Sequence, residues 1–393
     1  MKLSHRITHI NDGGSDGWDV FVRGRRMAAA GLPVTELTIG EHDVRTAPII
    51  LRAMYDAAMA GHTGYAMIPG TDGLRDGVAT RVTERTGVPT TRDNVLITAG
   101  GQAALFAAHH AVCDEGDTAL YIDPYYATYP GTIRAVGAKA VAIPSDPATG
   151  FQPAAEDIAA MADNAKSLLI NSPNNPTGAI YTAETLTAVA DVCKAQDLWL
   201  ISDEVYDTQV WDSDHLTPRS LPDMAERTLV IGSMSKSHAM TGSRCGWIVG
   251  PEEVIAHAIN LSTCTNYGVS GFIQDAALFA LNQGHGLEEK IAAPFHRRRD
   301  LALKTLAGQN VVGCVSPQGA MYLMLDIRAT GMTGNTFANA LLDMHNIAVM
   351  PGESFGHAAA GFIRVAMTVD DAAFVAALQT LCAFAETRAK THA

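Results

Sequence analysis

The sequence predicts an α/β chain whose mostly parallel, seven-stranded sheet is flanked by helices, with a smaller α+β domain beside it. Three observations carry the prediction. Between residues 94 and 250, seven short apolar, β-branched runs recur, at 95–98, 119–122, 140–143, 168–170, 198–201, 229–231 and 247–249. Alanine-rich stretches of helical period, such as 102–113 and 183–196, separate most of them, which is the alternation of a parallel sheet covered on both faces. Beyond residue 283 the pattern changes to a long helix through 296–306, strands near 321–326 and 362–367, and a terminal helix from Asp371. We therefore divide the chain into a large domain, 45–282, and a small one built from 1–44 plus 283–393.

Composition narrows the function. A chain of 393 residues is long enough for a sizeable core without disulfides or a structural metal. Hydrophobic residues make up 47% and charged residues 18%, below the roughly 25% charged of an average soluble domain, so part of the surface is expected to meet a partner subunit. The net charge of -13 repels phosphate backbones and anionic membranes, which argues against nucleic-acid and membrane partners. The first twenty residues lack the apolar core of a secretory signal. Six cysteines without CxxC spacing read as reduced core or near-core thiols of a cytoplasmic protein, not as a zinc site.

The chemically capable residues collect just past the carboxyl ends of the proposed strands. Gly100, Gly101 and Gln102 follow the first; Tyr125 and Tyr126 the second; Asn174 and Asn175 the fourth; Asp203 and Tyr206 the fifth; Ser233, Ser235 and Lys236 the sixth. Open α/β sheets bind ligands at that edge. The Gly-Gly-Gln run can expose backbone N–H groups at a helix start, and Ser233, Ser235 and Arg244 would complete a cup for a phosphate. Lys236 can form an imine with an aldehyde if its pKa is lowered in a partly dry pocket. Phosphate cup and imine-forming lysine together point to pyridoxal phosphate, and a carboxylate such as Asp203 could keep its pyridine nitrogen protonated.

The ordered motifs GEHD (40–43), GYAMIPGTDGLR (64–75), TAGGQAAL (98–105), DPYYATYP (123–130), NSPNNPTG (171–178), SDEVY (202–206), SMSKSHAMTGSRCGW (233–247), PGESFG (351–356) and FIRVAM (362–367) resemble the fold type I pyridoxal-phosphate enzymes, specifically the class I/II aminotransferases of aspartate/aromatic type. The resemblance covers nearly the whole chain. It implies that the large domain binds pyridoxal 5'-phosphate and that Lys236 carries the cofactor as an imine and then moves the substrate proton. It implies Asp203 at the ring nitrogen, Tyr206 and Asn175 at the ring oxygen, and Tyr126 stacked on the ring. Gly101, Gln102, Ser233, Ser235 and Arg244 match phosphate-binding positions, and Tyr65 a tyrosine sent to the neighbouring subunit's phosphate. Arg364 matches the arginine that grips the substrate carboxylate, helped by Gly40 and Asn175. The active sites would lie at a homodimer interface.

Two departures bear on selectivity and packing. One aspartate-specific branch has a lysine where this chain has Gln102, and the usual aromatic between the two serines is Met234. The resemblance implies ping-pong transfer of an amino group from an L-amino acid to a 2-oxo acid; the alternative is C–S β-elimination by a lyase of the same fold. A non-enzymatic regulatory module is disfavoured, because GEHD begins at residue 40 and leaves no space for a DNA-binding region. Of the adjacent His109 and His110, one is expected in the core and one at the surface. The run Arg297 to Arg299 is expected to be a solvated helix face, His238 to be structural, and Cys245 to be a small buried residue.

Overall fold

The computed structural model describes residues 1–12, 14 and 17–392 of the chain. Its strands are β1 (Thr35–Leu37), β2 (Val95–Thr98), β3 (Thr118–Asp123), β4 (Lys139–Pro144), β5 (Ala165–Asn171), β6 (Trp199–Asp203), β7 (Thr228–Ser233), β8 (Gly246–Val249), β9 (Gly313–Val315), β10 (Tyr322–Asp326), β11 (Ile347–Pro351) and β12 (Phe362–Ala366). All seven strands expected between residues 94 and 250 are present, and they form one sheet in the order β2-β8-β7-β6-β5-β3-β4.

Pairing within that sheet is parallel except at β8, which runs antiparallel to both β2 and β7. The other six strands therefore share one direction, and their carboxyl ends open on one edge. Because β8 runs the opposite way, the residues that precede it arrive at that same edge. Both faces are covered, and the covering follows the two-residue period of a strand. Leu96, Ile201, Leu229, Ile231 and Ile248 pack on one side with the helix Gly101–Val112. Their neighbours Val95, Ile97, Val230, Trp247 and Val249 pack on the other with the helices Asp72–Thr86 and Gly271–Leu281.

The second sheet has five strands in the order β1-β11-β12-β10-β9. Only two of these were expected. The strands β1 and β9 have three residues each, too few for a hydrophobic period to register, whereas β11 is an apolar run, Ile347 to Met350, between His-Asn and Pro-Gly, a strand signal of the same kind as those of the large sheet that sequence reasoning missed. Strand β1 pairs in parallel with β11, so a segment from the start of the chain completes a sheet whose other strands lie more than 270 residues later. The helices His285–Leu306 and Asp371–His392 cover this sheet, and their apolar faces share one core with Leu323, Val349 and Val365.

Two expectations need correction. Arg298 is not on a solvated face: it is only 3% exposed, because Asp43, Asp371 and the Met367 carbonyl satisfy its guanidinium. Cys264, at the end of the helix Glu252–Cys264, is exposed, whereas Cys113, Cys193, Cys245 and Cys382 are buried. Cys245 and the buried His238 fit the structural roles expected of them, and His109 is buried while His110 is exposed.

Candidate active site

A cleft of about 380 Å³ opens at the sheet edge where six strands end and β8 begins. It is lined by Gly101, Gln102, Tyr126, Asn175, Asp203, Tyr206, Ser233, Ser235, Lys236 and Arg244, and by Gly40 and Arg364 from the other sheet's side. Every expected site residue but one is thus gathered there. Tyr65 lies outside, 92% exposed, with its ring edge-on to Tyr267. Three further residues of the strand-end groups, Gly100, Asn174 and Tyr125, also stay out of the lining. Asn174 closes its own turn by accepting from the Thr177 backbone and hydroxyl, and Tyr125 packs edge-on against Tyr121. A larger cavity of about 770 Å³ adjoins the cleft and shares Trp18, Gln102 and Arg244 with it, but it contains neither the lysine nor the buried carboxylate.

At one end of the cleft the helix Gly101–Val112 begins, and its first N–H groups have no acceptor within the helix. Gly100 precedes it with φ 81°, a left-handed conformation that glycine adopts without steric cost, and a Cβ there would collide with the Arg244 guanidinium. Arg244 itself has φ 51°, a conformation rare for a residue with a side chain, and donates to the Thr241 carbonyl at 2.8 Å. Ser233 caps the short helix Met234–Ser237 by accepting from the Ser235 N–H at 3.1 Å. Two helix starts and a guanidinium therefore face one end, an arrangement that favours an anion.

Asp203 lines the same cleft. It is 4% exposed, and its carboxylate accepts from the Tyr129 hydroxyl at 2.6 Å and from the Val205 N–H at 3.3 Å. Burial pushes its pKa up to about 6, against the pull of those two donors. Tyr206 is buried beside it, and its hydroxyl lies 2.9 Å from that of Tyr322.

Lys236 lines the cleft with them, its Nζ 5.8 Å from the centre of the Tyr206 ring. Its Nζ donates to the Gly40 carbonyl, and burial, reinforced by the nearby Arg364 and Arg244, lowers its pKa. Its backbone carbonyl is held from below by His42 Nε2 at 3.0 Å and by the Gln209 amide at 3.3 Å. Burial and the lysine charge take the His42 pKa down to about 3, so the imidazole is neutral at ordinary pH and donates through Nε2. Arg364, 1% exposed, lies between the rings of Tyr322 and Phe355 at 4.4 and 4.3 Å. It donates to Asn175 Oδ1 at 2.7 Å and to the Thr38 carbonyl, and its Nε has no acceptor among the described residues.

Helix-start N–H groups beside a guanidinium, a buried amine, a buried acid and a planar cation thus line one volume, a set that can serve acid–base and imine chemistry. A model of aminotransferase class I and II matches residues 33–381. The chain belongs to that family. This aminotransferase is 39% identical to the arginine–pyruvate transaminase of Pseudomonas aeruginosa over 370 residues, 94% of each chain. It is 34% identical to the aspartate/prephenate aminotransferase of Thermus thermophilus, covering 87% of this chain and 88% of that one. Among solved structures, the aspartate aminotransferase from Thermus thermophilus with maleate superposes with a TM-score of 0.92 at 32% identity, over 98% of this chain and 99% of that one.

Sequence reasoning missed Tyr129, Tyr322, His42 and Gln209. Tyr129 lies in the DPYYATYP motif, but its partnership with Asp203 spans 74 positions and leaves no local signal. Tyr322 read only as part of a strand. His42 lies in GEHD, where its contact under the lysine, 194 positions away, has no counterpart in spacing.

Proposed function

We propose that this aminotransferase holds pyridoxal 5'-phosphate in the cleft and uses Lys236 as its catalytic amine. The observation that supports the reading is that the Lys236 amine, its pKa lowered by burial, lines one cleft with Gly101, Ser233, Ser235 and Arg244 and with the buried Asp203. The residues fit the cofactor at both ends. The helix start at Gly101, with Ser233, Ser235 and Arg244, suits its phosphate, and a pyridinium nitrogen would supply the cation that the buried Asp203 carboxylate lacks. Bound there, pyridoxal phosphate supplies an aldehyde that condenses with amines and a ring that takes up the electron pair of the substrate α-carbon.

The chain's own residues do the rest. Asp203, fixed by Tyr129, would hold the proton on the ring nitrogen, while Tyr206 and Asn175 would donate to the ring oxygen. Tyr126 would cover the ring. The Lys236 amine would carry the proton from and to the α-carbon, a task its lowered pKa suits. Arg364, pre-set by Asn175 and the Thr38 carbonyl, would take the α-carboxylate through its fork, with the backbone at Gly40 helping. Amino transfer is favoured over C–S cleavage because the Pseudomonas and Thermus relatives are transaminases by name. The name of the Pseudomonas relative makes a basic amino acid with pyruvate the first pair to assay.

The same reading divides the chain at 44/45 and 282/283 and makes it a cytoplasmic homodimer. An exposed apolar face on the helix Pro48–Met59, with Ile49, Leu51, Tyr55 and Met59, supports a subunit contact, and Tyr65 next to it would reach the neighbouring cofactor phosphate. No described helix is long and apolar enough to cross a membrane. Borohydride reduction of the holoenzyme and peptide mapping of the product test the central claim. A pyridoxyl group on the peptide that contains Lys236 is the expected result; modification elsewhere, or none, overturns the assignment.

A further inference from the structure

One short segment, residues 40–46, grips Lys236 at its amine and at its backbone. The Gly40 carbonyl accepts from the Lys236 Nζ, His42 Nε2 lies 3.0 Å from the Lys236 carbonyl, and the Thr46 hydroxyl donates to the Ala239 carbonyl further along the lysine loop at 2.6 Å. Asp43 ties the same segment to the buried Arg298 of the helix His285–Leu306, whose Phe295, Ala302 and Leu306 belong to the core of the second sheet. The backbone that carries the lysine is thus fastened to the packing of the other sheet.

The Lys236 carbonyl needs such partners. It lies in the last turn of the helix Met234–Ser237, and the N–H that would close a further turn on it, that of Met240, bonds the Met234 carbonyl instead. Its donors are side chains, the His42 imidazole and the Gln209 amide at 3.3 Å. A carbonyl only accepts, so His42 carries its proton on Nε2. Nδ1 is buried with no partner among the described residues, and a second proton there would have nothing to donate to. The imidazole is buried, meets Phe295 edge-on at 5.2 Å and is set back from the lining of the cleft. It therefore reaches the reacting amine only through the lysine backbone.

We infer, on the reading of Lys236 as the catalytic amine, that His42 is a positioning residue: its Nε2–H, with the Gln209 amide, holds the lysine backbone so that the amine keeps the place from which it moves the substrate proton. Displacing a reacting group by about 1 Å costs about a hundredfold in rate, so a backbone bond can matter as much as a contact in the cleft. Without the donor a buried carbonyl is left underpaired, and the loop relieves it by shifting toward water. The amine then sheds part of the burial that lowers its pKa. Tyr322, Arg364, Glu41 and Arg244, the groups whose charges act on Lys236, stay in place, as does Asp43, which with Lys236 acts on His42.

The test pairs variants that lose or keep the donor and reads the amine with and without cofactor. His42→Phe keeps a ring against Phe295 but has no N–H, His42→Asn has an amide too short to reach, and His42→Gln restores a donor at the reach of Nε2. Trace acetylation of cofactor-free protein across pH, mapped by mass spectrometry, gives the midpoint at which the Lys236 amine becomes reactive. Holoenzyme with the amino acid that wild type turns over fastest gives kcat and KM. His42→Phe and His42→Asn should raise the midpoint by about half a pH unit or more and lower kcat by about tenfold or more, with KM within about twofold, and His42→Gln should recover most of both losses. A merely structural histidine would lower the melting temperature in these variants and leave the midpoint where it is. That result, or a His42→Gln variant no better than His42→Asn, overturns the proposal. If His42→Phe does not fold, His42→Asn decides. If wild type turns over no amino acid, the catalytic reading fails instead, and the acetylation midpoint still decides the role of His42.

Discussion

Tyr129 donates a 2.6 Å hydrogen bond to Asp203 Oδ2, and both residues are buried in the lining of the cleft. The bond keeps a carboxylate charged where burial opposes charge. Removing it in Tyr129→Phe should raise the Asp203 pKa further above about 6 and so move the acidic limb of kcat/KM to higher pH. A pH–rate profile that coincides with wild type would contradict this.

Asp203 should cost the cofactor-free protein stability. Its folded pKa of about 6 lies above the 3.8 of an exposed aspartate, so between those values the folded state holds a proton that the unfolded chain has released. Stability contributed by this group is therefore full below pH 4, falls as pH rises through that window, and stays low above about pH 6. Asp203→Asn should raise the melting temperature of cofactor-free protein at pH 8 but not at pH 4, while turnover drops by about 10²-fold or more. Thermal melts at the two pH values check it.

Arg364→Lys keeps the charge and loses the fork. A lysine ammonium cannot bond Asn175, the Thr38 carbonyl and an incoming carboxylate in one plane, and it leaves space between the Tyr322 and Phe355 rings. KM should rise for every amino acid tested, by about tenfold or more. An unchanged KM would show that Arg364 does not bind the common carboxylate.

Arg298→Ala should destabilise the fold by about 3 kcal/mol, because it removes a buried guanidinium that ties Asp43 to Asp371. Burial pushes the Asp43 pKa up, but the bond and charge of Arg298 outweigh it and hold the carboxyl below its usual value. That stabilisation is present above pH 4 and is lost as pH falls through the lowered pKa, so wild type and variant should converge in acid. Urea titrations at pH 7 and pH 3 measure the difference.

Gly40→Ala tests the contact between the two sheets. A Cβ at Gly40 would collide with the Tyr322 hydroxyl, which is the hydrogen-bond partner of Tyr206. We expect a lower melting temperature by several degrees and weaker cofactor affinity, the two read by thermal shift and by dialysis against cofactor. Normal cofactor retention would show that the Tyr206–Tyr322 pair is dispensable.

The large sheet was legible because each of its strands is an apolar run bounded by turn residues, and because both faces are buried, so Leu96 and Ile97 are equally apolar although they point to opposite sides. The site was legible in part for the same reason. The parallel strands all end on one edge, so the residues just past those ends, Lys236, Asp203, Asn175 and the anion cup among them, could be grouped without any three-dimensional information.

The sequence by itself thus determined the chain's α/β character, the strands of the large sheet and the polar groups at their ends, since those depend on local periodicity and chain direction. Only the tertiary structure decided what lies across from them. It brings Thr38 and Gly40 to Arg364 and Lys236, sets Tyr129 under Asp203 and Tyr322 against Tyr206, buries Arg298 between two acids, and places Glu41 in the cleft wall. These are single hydrogen bonds and ion pairs between residues far apart in the chain. Their geometry is fixed by how two sheets and their helices dock, and that docking is a sum over many buried contacts that no short stretch of sequence encodes.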